Sequence, residues 1–79
     1  MNITKQVLSK DKRFAEVLHM CNIYCAENLV ISIKQQDYVS AGKWFNELSR
    51  SIRDLNELID RKLDYDAELD KCFEKMGGF

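Results

Sequence analysis

The chain has 79 residues, a net charge of −1, 46% hydrophobic and 32% charged residues. That length allows one domain, the near-neutral charge gives no global pull toward nucleic acid or acidic membranes, and the apolar fraction argues against disorder. A chain this short buries only about 60% of its unfolded surface, so a lone core is marginal and a partner, metal or disulfide framework commonly adds to it.

Further classes fall away on inspection. Three cysteines is an odd number, which fits reduced thiols better than a disulfide framework. No apolar run reaches the roughly 18 residues of a membrane span, and Leu29-Val30-Ile31 is broken by Ser32. The start "MNITKQVLSKDKR" lacks the apolar region of a signal peptide, so the expected location is the cytoplasm. Charge is uneven: residues 1–13 carry Lys5, Lys10, Lys12 and Arg13 against Asp11, whereas residues 57–79 carry seven acids against four bases. Such ends are either two solvated termini or a means of ordering two chains head to tail.

In chain order, residues 1–9 read as poorly ordered or as a short helix with Ile3, Val7 and Leu8 on one side. Ser9 or Asp11 is placed to cap a first helix over 11–35. Phe14, Val17, Leu18, Cys21, Cys25 and Leu29 lie on one side of it. Met20, Ile23, Tyr24, Val30 and Ile31 extend around it, well beyond the roughly 100° stripe of a surface helix. "QQDYVS" is a turn, with Asp37 capping a second helix over 38–62.

The second helix carries Ala41, Phe45, Leu48, Ile52, Leu55 and Ile59 at alternating spacings of four and three, a heptad-like seam that Trp44 and Leu58 widen. Arg50–Asp54, Arg53–Glu57 and Glu57–Arg61 are placed as i, i+4 pairs on the opposite face. Residues 65–76, with Leu69, Cys72, Phe73 and Met76, read as a short third helix capped by Asp64 or Asp66, unless the second helix continues unbroken. Gly77 suits a helix stop. The terminal "GGF" reads as a frayed end or a short recognition tail. The predicted fold is all-α: an antiparallel helical hairpin with a short third C-terminal helix, packing as a dimeric helical bundle.

Asp37, Tyr38, Ala41 and Phe45 follow the order D-Y-x-x-A-x-x-x-F, and over these few residues the chain resembles half a tetratricopeptide hairpin. The preceding helix departs from that family, with Leu29 and Ser32 where a small residue and an aromatic belong. A lone hairpin is also short of the three repeats a solenoid needs. The resemblance implies a helical hairpin and carries over no peptide groove.

Chemistry-bearing residues are sparse. Cys21 and Cys25 share a helix face, but structural zinc wants four ligands and His19 points well away from Cys21. No phosphate loop or metalloprotease signature is present. The expectation is no enzyme, no catalytic residue, no metal and no cofactor. The preferred function is a protein–protein interaction module, acting as adaptor, inhibitor or chaperone of a partner protein, of the kind encoded by phages and accessory genes. Met20, Ile23, Ile31 and Trp44 are its expected contact residues, and a homodimer its expected state. Two other readings compete: an oligomeric small-ligand binder using Lys10, Arg13, Tyr24 or Tyr38, and a DNA-associated regulator using the basic N-terminus.

Overall fold

A computed structural model describes residues 2–77, with side chains described for residues 2–72. Gly78 and Phe79 of the terminal "GGF", and the Phe73 and Met76 side chains of the expected third helix, lie outside them. Two long helices dominate: α1, Lys12–Lys34, and α2, Tyr38–Gly77. Two 3-10 turns precede them, Ile3–Lys5 and Ser9–Asp11, and no strand occurs among the described residues.

The connection is tight because both helix ends satisfy their own backbone. The amide of Gln36 donates to the Ile33 carbonyl at 2.9 Å, and that of Asp37 to the Ser32 carbonyl at 2.9 Å. This nested pair is the Schellman closure, which needs a left-handed residue. Gln36 supplies it, at φ 59°, where glycine would sit with less strain. Asp37 then caps α2 as its sequence suggests: its Oδ1 accepts from the Ser40 amide at 3.1 Å. The Ser40 hydroxyl and amide hold the Asp37 carboxyl below its usual range.

α1 and α2 pack antiparallel along two lines with the same three–four spacing. On α1 the line is Ala15, Leu18, Asn22, Cys25, Leu29 and Ser32; on α2 it is Ala41, Trp44, Leu48, Ser51, Leu55 and Leu58. Every one of these residues is buried or half-buried. The observed seam therefore differs from the expected one. Phe45 and Ile52 are exposed, and their places are taken by Trp44 and Ser51. On α1, Phe14 and Cys21 stand outside the contact. The physical reason is close backbone approach. Ala15, Ser32, Ala41 and Ser51 are small enough to sit between the helices, and the Ser51 hydroxyl donates to the Leu18 carbonyl at 3.4 Å. Choosing the most apolar residue at each step selects a line one residue, about 100°, too far round.

One end of the hairpin is closed by the N-terminal segment. Val7, 2% exposed, joins Ala15, Leu18, Leu55 and Leu58 in the core, with Ile3 and Ile59 packed on it. Burying each large aliphatic chain contributes about 1.5–3 kcal/mol. Asp11 stands at the N-cap position of α1 but makes no side-chain capping bond. Its carboxylate instead accepts from Arg61 Nη1 at 3.3 and 3.4 Å, tying the start of α1 to α2. Arg61 thus leaves the expected pair with Glu57, and among the described residues the i, i+4 ion pair that forms is Lys62–Asp66 at 2.8 Å.

Residues 65–76 do not make a separate helix. α2 runs unbroken through Asp64 and Asp66, because no proline or glycine lies between residues 43 and 76. Its 40 residues give the molecule its 65 × 18 × 17 Å form. α1 begins at the level of Arg61, so the rest of α2 projects beyond the hairpin by about 24 Å at 1.5 Å per residue.

Candidate interaction surface

The core line of α1 is chemically modest: alanine, asparagine, cysteine and serine share it with two leucines. Most of the large apolar residues of α1 lie elsewhere. Phe14, Val17, Met20, Ile23, Tyr24, Val30, Ile31 and Ile33 are all exposed. Among them runs a second line with heptad-like spacing, Phe14, Val17, Cys21, Tyr24, Asn28 and Ile31, about 100° from the first. Helix α1 thus has two seams, of which α2 covers one.

The expected contact residues fall in two settings. Met20 (64% exposed), Ile23 (41%) and Ile31 lie on the outer side of α1, away from α2. Val30 and Ile31 line a shallow apolar groove there with Ala26 and Glu27. Trp44 is half-buried in the seam. Its ring meets Tyr24 edge to face, with centroids 5.5 Å apart at 84°. That geometry suits the ring quadrupoles, and it links the seam to the outer line through Tyr24.

The surface left open is large for the chain. The accessible area is 6323 Å² at 9.3 kDa, whereas a compact monomer of that mass exposes about 5,000 Å². The radius of gyration is 17.7 Å, against about 12 Å for a compact domain of this length. No large side chain is wholly enclosed among the described residues.

Reactive groups do not converge. Cys21 and Cys72 are exposed and Cys25 is buried. Burial pushes the Cys25 thiol up, and neighbouring Cys21 and Glu47 add to the effect. Among the described residues no three His, Cys, Asp or Glu side chains are grouped to hold a metal ion. His19 is exposed on α1. Lys5, Lys10, Lys12 and Arg13 are exposed, and none is in an ion pair among the described residues. Lys10 lines a groove with Val7, Leu8, Ser9, Lys62 and Tyr65, where the N-terminal segment meets the base of the projecting end. No helix is long and apolar enough to cross a membrane among the described residues.

No protein-family model, curated protein or solved structure matches this chain. The second line on α1 is the feature least evident in the sequence. Its spacing is legible, but Asn28 interrupts its apolar character, and Phe14, Val17 and Cys21 group by sequence with Leu18, Cys25 and Leu29 on one side of the helix.

Proposed function

We propose that this protein is a small helical protein–protein interaction module, an adaptor, inhibitor or chaperone that works by covering a partner's surface, and that it is not an enzyme. The observation that carries the reading is the open apolar side of α1, where Met20, Ile23, Tyr24 and Ile31 are exposed on a helix that already has a packing partner. Apolar patches of this extent on small soluble proteins mark interfaces. Self-association into a homodimer in the cytoplasm is part of the proposal, since a two-fold pairing lets one patch cover its own copy.

Ile23→Glu tests it. The site is exposed, so the thermal melt by circular dichroism is expected to stay close to wild type. Sedimentation equilibrium is expected to show wild type heavier than 9.3 kDa and the variant at 9.3 kDa. A wild-type monomer whose capture of proteins from a host lysate is unchanged by Ile23→Glu would overturn the reading.

A further inference from the structure

We infer that Cys21 and Cys25 form a dithiol site for a monosubstituted trivalent arsenical, a species of the type RAs(OH)2, held between the two sulfurs on adjacent turns of α1. The inference does not depend on the interaction-module reading.

Placement comes first. Four residues apart on α1, the two side chains lie on one face, one above the other. Their settings differ. Cys25 belongs to the line that α2 covers and is 3% exposed. Cys21 belongs to the outer line and is exposed. One thiol is thus fixed by the packing of the hairpin, and the other opens the way to it from solvent. All three cysteines are free, and Cys72 lies on the projecting part of α2, beyond the start of α1.

Spacing decides what the pair can hold. Side chains at i and i+4 of a helix have Cβ atoms about 5–6 Å apart. A disulfide needs about 3.5–4.5 Å, so a direct S–S bond would require α1 to deform at this point. A single bridging atom removes the mismatch. With bonds of about 2.3 Å, the length of a zinc–thiolate bond, one soft centre lets the sulfurs stand up to about 4.6 Å apart.

Ligand number and charge then select the centre. Zinc takes four ligands, and among the described residues no third His, Cys, Asp or Glu joins the pair. A monovalent ion held by two thiolates would leave a net negative charge where Cys25 is enclosed and Glu47 is a neighbour. Burying an uncompensated charge is costly. An organoarsenic centre avoids both difficulties. It brings its own carbon substituent as the third ligand, and with two thiolates it is neutral. A neutral adduct suits a thiol whose ionised form the same surroundings disfavour.

The exchange balances without a further reactant. Two S–H and two As–OH bonds give way to two As–S bonds and two molecules of water. Arsenic stays trivalent, and no sulfur is oxidised.

Phenylarsine oxide, added to the full chain, tests the site. Intact-mass measurement is expected to show one equivalent bound. The adduct is expected to survive an excess of mercaptoethanol and to be removed by dithiothreitol, because only a second dithiol competes with a chelate. Cys21→Ser, at an exposed position, and Cys25→Ala are each expected to lose the retained adduct, and Cys72→Ser to keep it. The melting temperature is the second readout. A tenfold preference of the reagent for the folded chain raises it by about 6–11 °C in a domain of this size. A rise of that order is expected for wild type and Cys72→Ser, and none for Cys21→Ser. Loss of the adduct to the monothiol, its retention in Cys21→Ser, or a link that includes Cys72 would overturn the inference. So would an unchanged or lowered melting temperature in wild type, since the sulfurs would then be reached no better in the folded helix than in the unfolded chain.

Discussion

Leu55 and Leu69 stand on the same line of the same helix, two heptads apart, yet Leu55 is 8% exposed and Leu69 38%. Nothing in their immediate sequence separates them. Both follow a three–four spacing, and each is preceded by an acidic residue, Asp54 and Glu68. The difference lies across the groove: Leu55 shares its core with Val7, Ala15 and Leu18, whereas Leu69 lies beyond the start of α1. The comparison teaches that period shows which side of a helix is built for contact, and that chain length shows whether the contact is met within the molecule. In the paired part of α2 the requirement is met. In the projecting part it is left open.

Two truncations are expected to separate the paired and projecting parts of α2 most sharply. Leu55→Ala removes buried methyl groups from the core at a cost of about 2–5 kcal/mol. The total stability of a domain this small is about 5 kcal/mol, so the variant is expected to be largely unfolded by circular dichroism at room temperature. Leu69→Ala is expected to leave the melt within a few degrees of wild type. Equal thermal losses from both would mean that the two halves of α2 are not differently supported.

Helix propensity gives a smaller and sharper contrast. Gly42 is exposed inside α2, and an added Cβ there would meet nothing within 4 Å. Gly42→Ala is therefore expected to stabilise the fold by about 0.8–1 kcal/mol, visible as a raised melting temperature. Ala67→Gly makes the opposite change in the projecting part. Its cost is expected to stay local, seen as faster amide exchange over residues 63–72 with little change in the global melt.

The smallest expected effect concerns pH in the paired part. Burial raises the Cys25 thiol above its ordinary value. The unfolded thiol then ionises first as the pH rises, so stability is intact below the ordinary thiol range and declines above it. Cys25→Ala is expected to flatten that alkaline decline in melts taken across the range. A decline of unchanged slope would mean the thiol is not protected by the fold.

Much of this protein is legible in its sequence. The turn at Asp37, both long helices and the all-α class follow from capping chemistry, period and the absence of proline, which are local properties that a sequence carries openly. The outer exposure of Met20, Ile23 and Ile31 follows as well, since one neighbouring helix cannot cover a helix that is apolar nearly all round. What needed the tertiary structure was the choice among adjacent lines on each helix. Ala15 and Ser51 hold the seam because small residues let two backbones approach, and Phe14 and Ile52, one position away from them, are left exposed. The continuation of α2 past Asp64 and Asp66 was also decided there, the sequence permitting a break without requiring one. So was the offset that leaves the end of α2 projecting, fixed by where Asp11 meets Arg61 across 50 residues of chain. Period and capping act within a few residues along a helix. The face a helix buries, and the length over which it does so, depend on the shape and extent of what lies opposite.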